Sequence, residues 1–178
     1  MGGCTDLIDR QYINEVANIV RKQLQLEPPI TLDKILEAVE RLGGRYEPVE
    51  ENSMNVEAQI STPKGSEDYE FIIKYLQGKS ENRVLFSVAH ELGHLVLHLL
   101  QDDGTLEKSE VYARSKDSSQ KELEANEFAA ALLMPENDFI AKCKEFMVEN
   151  KVNVTKVAEY FNVSSQAATV RGNVLKLW

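Results

Sequence analysis

The segment Val84–Leu100 is apolar around most of a helical circumference, yet it carries His90, Glu91, His94 and His98. A helix that is apolar nearly all round belongs in a core. A core accepts imidazole and carboxylate groups only where each has a partner. Any fold open to this chain must supply that compensation. The same four residues interrupt the run too often for a membrane span.

Within the segment, His90-Glu91-Leu92-Gly93-His94 forms an HExxH pattern. Histidines at i and i+4 share one helical face, close enough to share a cation. Neutral imidazole nitrogen is a good zinc ligand, and a catalytic zinc keeps a fourth position open for water. Glu91, one residue past the first ligand, points about 100° around the helix. That places it beside the ion, where it acts as general base. The competing reading is a core helix whose histidines merely hydrogen-bond. Against it, the chain's three histidines all lie between positions 90 and 98, unlike scattered core residues.

A third ligand is needed. His98 lies a further turn on, but ligands at i, i+4 and i+8 of a straight helix cannot all reach one ion at about 2 Å. The pattern that wants histidine at position 100 finds Leu100. A carboxylate from another helix is therefore expected, and the run Glu122–Ala130 offers one. Glu122, Asn126, Ala129, Ala130 and Leu133 form a single stripe, putting Glu122 and Asn126 on the core side. Asn126 would then orient a histidine or Glu122 from behind. Glu124 is the rival ligand and Glu127 a more distant one; the alternative for both is a solvated charged face.

The rest of the chain reads as α+β, mostly helical, with a small three-stranded, mainly antiparallel sheet and the HExxH helix at the core. Apolar residues at helical spacing predict a helix over about 6–26 and a second one capped by Thr31 and followed by Gly43-Gly44. Strands are expected at 45–49, 56–61 and 69–75, then a long helix over about 83–100. Residues 101–120 are polar, without apolar period, and read as a loop or loosely ordered insertion. Helices are expected at about 120–134, ending at Pro135, then at 136–149, 155–161 and 164–176. The division expected is 1–150 as the catalytic core and 151–178 as a helical pair packed on it.

Two further features bear on partners. With 29 acidic against 20 basic residues the net charge is −9, which disfavours binding to a phosphate backbone. Thr155–Arg171 looks like a helix-turn-helix, but its second helix carries only Arg171 as a cation, too few for phosphate anchoring. DNA contact is not expected. Two cysteines without CxxC spacing, Cys4 and Cys143, and no signal peptide point to a cytoplasmic protein. Cys143 reads as a core thiol, His98 as a buried imidazole bonded to a carbonyl, and Tyr112 as an exposed loop tyrosine rather than an oxyanion donor.

Phe86–His98, followed by Glu122–Pro135 with its Leu133-Met134-Pro135 ending, resembles the ImmA/IrrE family of zinc metallopeptidases. The second block is the more diagnostic, and the coarse resemblance runs from about Ile30 to the C-terminus. It implies a gluzincin-type peptidase with one zinc ion held by His90, His94 and Glu122, and Glu91 as base. It also implies a protein substrate, a helix-turn-helix repressor of a phage, mobile element or stress response. A regulatory module that recruits a transcription factor without cleaving it is the alternative. The polar stretch between the two blocks departs from the family pattern.

Overall fold

The computed structural model describes residues 8–63, 68–100 and 118–178. The first helix, α1 (Arg10–Gln23), starts where the Asp9 side chain accepts the Tyr12 N–H, and buries Ile13 and Ala17. Helix α2 (Leu32–Arg41) is capped by Thr31, as the sequence suggested, and buries Ile35, Leu36, Ala38 and Val39. Gly43 follows at φ +79°, a left-handed turn that favours glycine.

Three strands come next: β1 (Gly44–Val49), β2 (Ala58–Ser61) and β3 (Phe71–Leu76). They form one sheet in the order β1-β3-β2. β3 takes the centre because Phe71, Ile72, Ile73 and Leu76 are buried, as befits a strand covered on both faces. β2 alternates buried Ala58 and Ile60 with half-buried Gln59 and Ser61. The expected mainly antiparallel sheet is corrected here: β2 pairs antiparallel with β3, but β1 pairs parallel with it over six residues. The chain leaving β1 makes a short turn at Glu51–Ser53 and passes over to the far side of β3. That crossing is only about 10 Å, two strand spacings, so a short connection suffices and its length does not reveal the pairing.

Helix α3 (Glu81–His94) packs on α2, β2 and β3 on one side and on α4 (Ser118–Leu133) on the other. It buries Val84, Leu85, Val88, Ala89 and Leu92 along with Glu91 and His94. Residues Leu95–Leu99 continue it as one wide π turn, so the single long helix expected is two kinds of helix joined end to end. The expected loop over 101–120 falls largely outside the described residues, and α4 is helical from Ser118.

The chain ends in α5 (Glu136–Glu145), a hairpin of β4 (Met147–Val148) and β5 (Lys151–Val152), α6 (Val154–Tyr160) and α7 (Ser165–Val174). The hairpin replaces the end of the helix expected over 136–149. Its turn residues, Glu149 and Asn150, both take positive φ, the two-residue turn that matches strand twist. Asn162 also has positive φ, between α6 and α7, and its side chain donates to the Ile30 carbonyl. Phe139, Val157, Phe161, Val163 and Ala168 join the same buried cluster as α3 and α4.

A buried polar knot ties the ends of the chain to α4. Arg171 donates to Glu127 Oε1 at 2.9 Å, to Asn14 Oδ1 at 2.8 Å and to the Met134 carbonyl at 3.1 Å. Asn14 donates to Glu127 at 2.8 Å, and Arg10 lies 3.4 Å from the same carboxylate. Arg171 is 1% exposed, with Glu127 neutralising it. Burial lowers the guanidinium pKa, and the Glu127 charge opposes that shift. Glu127 is therefore neither a metal ligand nor part of a solvated face.

Candidate metal centre

Helix α3 presents His90 and His94 one turn apart, and α4 crosses them with Glu122. The three ligand atoms converge. His90 Nε2 and His94 Nε2 are 3.1 Å apart, and Glu122 stands 3.4 Å from the first and 3.3 Å from the second. A tetrahedral ion at about 2.0–2.1 Å from each ligand separates neighbouring ligands by roughly 3.3–3.4 Å. The residues present thus fit a zinc-sized cation. Two imidazole Nε2 atoms this close repel through their lone pairs unless a proton or a cation lies between them. The donor set, two imidazoles and one carboxylate, is one that zinc accepts.

What lets α4 come this near is Gly93. A Cβ at that position would lie 3.0 Å from Ala125 Cα and 3.1 Å from its carbonyl oxygen. The glycine inside the HExxH motif therefore sets the spacing of the two helices that carry the ligand atoms.

Each histidine is also held from behind. Asn126 Oδ1 lies 3.0 Å from His90 Nδ1, although Asn126 is exposed rather than on the core side expected for it. His94 Nδ1 faces His98 Nδ1 at 3.1 Å, and His98 Nε2 faces Glu124 Oε2 at 2.9 Å. His98 therefore contacts a carboxylate and a second histidine, two partners that the sequence did not suggest. Glu124 lies outside the His90–His94–Glu122 group and meets His98 instead. Burial pushes the His98 pKa down, against the pull of Glu124, which favours a neutral imidazole.

Glu91 is 6% exposed, and its Oε2 accepts the Ile60 N–H of β2 at 3.0 Å. The sequence placed this carboxylate beside the ligand face; it gave no sign that a strand amide would fix it. A cavity of about 320 Å³ opens here, lined by Val56, Glu57, Ala58, His90, Glu91 and Asn126 among others. A larger one, about 790 Å³, shares Glu57, Phe86, Ser87 and Asn126 with it and extends towards α7. Glu57 is held below its usual carboxylate range by the Arg83 guanidinium that it meets at this rim.

Glu91 and Asn126 thus stand with the three converging ligand atoms, on two packed helices beside a strand edge. This is the HExxH class of metal-site architecture. The chain belongs to the Peptidase_M78 family, whose model, described as the IrrE N-terminal-like domain, matches residues 59–173. Among solved structures the chain resembles a Mycobacterium tuberculosis transcriptional regulator, with TM-score 0.62 and 13% identity over 90% of this chain. That likeness concerns the fold, and this chain spans 46% of the other protein's length. No curated protein sequence matches. Among the described residues no helix is long and apolar enough to cross a membrane. Arg171, the only cation of α7, is buried against Glu127.

Proposed function

We propose that this protein is a zinc-dependent peptidase that hydrolyses a cytoplasmic protein partner, a helix-turn-helix transcriptional repressor. The observation that carries the reading is the ligand triangle of His90, His94 and Glu122, 3.1–3.4 Å on each side, with Glu91 on the same helix. These three residues would hold the ion, with Asn126 orienting His90. When bound, zinc would polarise the scissile carbonyl and make a water reactive near neutral pH. Glu91 takes the proton from the attacking water at its carboxylate and returns it to the leaving amine. The Ile60 amide keeps that carboxylate pointed by donating to it. An extended substrate would lie along β2, the edge strand whose Ile60 amide meets Glu91. Residues 1–150 would form the catalytic part, with 151–178 bracing it through Arg171.

A second reading has support of its own. Likeness to a transcriptional regulator suits a metal-bearing module that recruits a transcription factor without cutting it. Glu91→Gln separates the two. It keeps the side chain's size and leaves the three ligands in place, so zinc content and folding persist. Co-expressed with repressor-type helix-turn-helix proteins, the variant should cleave about 10²–10⁴-fold more slowly than wild type. An unchanged effect on the partner in Glu91→Gln would mean that hydrolysis is not the mechanism.

A further inference from the structure

His94 does not stand alone behind its ligand atom. Its Nδ1 lies 3.1 Å from His98 Nδ1, and the other nitrogen of His98 lies 2.9 Å from Glu124 Oε2. The second oxygen of Glu124 accepts from Gln120 Nε2 at 2.8 Å, which leaves Oε2 aimed at His98. The side chains of His94, His98 and Glu124 are 4%, 5% and 20% exposed, so water contributes little to their hydrogen bonding. The wide π turn at Leu95–Leu99 is closed by Leu100 N–H on the Leu95 carbonyl. It begins immediately after His94 and sets where His98 stands against it. Such turns recur at functional sites.

The hydrogens of this chain of groups are not independent. Between two Nδ1 atoms in contact only one carries hydrogen when both rings are neutral. Suppose His98 donates. The hydrogen of His94 then moves to Nε2, where it blocks the lone pair aimed at His90 and Glu122. His98 Nε2 is left as a bare lone pair facing an ionised carboxylate at hydrogen-bond distance, which is repulsive. Suppose instead that His94 donates. His98 then carries its hydrogen on Nε2 and gives it to Glu124, and His94 Nε2 is a free lone pair directed into the ligand triangle. With a cation in the triangle to face the His94 Nε2 lone pair, the second arrangement alone leaves no two lone pairs opposed across these contacts.

We propose that Glu124 and His98 are positioning residues: through two hydrogen bonds in series they select the tautomer in which His94 Nε2 can bind metal. This rests on the metal-site reading above. Carboxylates one step behind a metal-binding histidine act in this way; here a second imidazole relays the effect. His90 Nδ1 instead meets the Asn126 amide oxygen at 3.0 Å.

The test uses the full chain and zinc itself. Glu124→Gln replaces an obligate acceptor with an amide that can donate to His98 Nε2, so the selection is lost while the shape remains. His98→Phe removes the relay at similar volume. Zinc affinity, measured by competition with a chromophoric chelator, should fall by roughly 10–100-fold in each variant. Circular dichroism of the metal-free proteins checks that both are folded, and should His98→Phe fail to fold, Glu124→Gln decides. Nitrogen-15 imidazole spectra of wild type should show hydrogen on His98 Nε2 and, in the zinc-loaded protein, on His94 Nδ1. A merely structural role would leave that tautomer assignment unaffected by Glu124→Gln, whereas the relay requires it to change. Wild type that binds zinc, with affinity and tautomers unchanged in Glu124→Gln, overturns the relay and leaves the metal site standing. Wild type that takes up no zinc overturns both.

Discussion

Replacing Gly93 with alanine sets two measurable effects against each other. In a helix interior, alanine is favoured over glycine by about 0.8–1.0 kcal/mol, so on an exposed face the change would stabilise. At Gly93 the added methyl would sit 3.0 Å from Ala125 Cα, 3.1 Å from Ala125 O and 3.2 Å from Phe128 Cδ1. Carbon atoms rest at about 3.5–4.0 Å, so α3 and α4 must part by roughly 0.5 Å at their crossing. The first two contacts are backbone and cannot swing aside. Overpacking of this kind costs typically about 1–3 kcal/mol, which outweighs the helical gain. The net expectation is a loss of up to about 2 kcal/mol, a melting temperature lower by a few degrees in a chain of this size. The larger effect falls on the metal site. Glu122 stands one turn before Ala125 on α4, and metal–ligand distances tolerate only about 0.2 Å. Zinc affinity should drop at least about tenfold, as it does when a site's supporting contacts are lost. Thermal unfolding in excess chelator and a zinc competition titration measure the two quantities separately. A Gly93→Ala protein that melts higher than wild type and holds zinc equally well would show that the helix spacing is not set at this glycine.

The remaining expectations follow from the same contacts. Glu122→Ala should abolish zinc retention through a desalting column, and Asn126→Ala should weaken affinity by roughly 10–100-fold; full retention by Glu122→Ala would remove this residue from the ligand set. Arg171→Met leaves the buried Glu127 charge with only Asn14 and Arg10 beside it. Breaking a buried pair costs about 3–5 kcal/mol, so urea unfolding should show a loss towards the lower end of that range, and no loss would mean the knot is not stabilising. Burial pushes the Cys143 thiol up from its usual value, which leaves little thiolate at pH 8. Iodoacetamide mapping by mass spectrometry should find Cys143 unlabelled in the native protein and labelled in denaturant; prompt native labelling would contradict its burial.

Much of the ligand geometry was legible in the sequence because it depends on one helix. The spacing of His90 and His94 is a local property, fixed by 3.6 residues per turn wherever the helix sits. Periodicity also put Glu122 and Asn126 on the inner face of α4. Glu122 is half-buried and meets the histidines. Asn126, however, is exposed at the rim of the cavity, because the side chains packed in the core are Ala125, Phe128, Ala129 and Leu132. Helix caps such as Thr31 were readable for the same local reason. Other features depend on which elements meet, and only the tertiary structure decided them. The sheet order was one: β1 and β2 flank β3, and a short connection allows either pairing. The partner of Glu91 was another, since the Ile60 amide comes from a strand 31 residues away. Glu124 and Glu127 looked alike as acidic residues on one helix. One turned to His98 and the other to Arg171, because α4 is packed on both sides and each face met a different buried cation or imidazole. Burying a charge costs too much to leave unpaired, so each carboxylate's role followed from the neighbour the fold gave it.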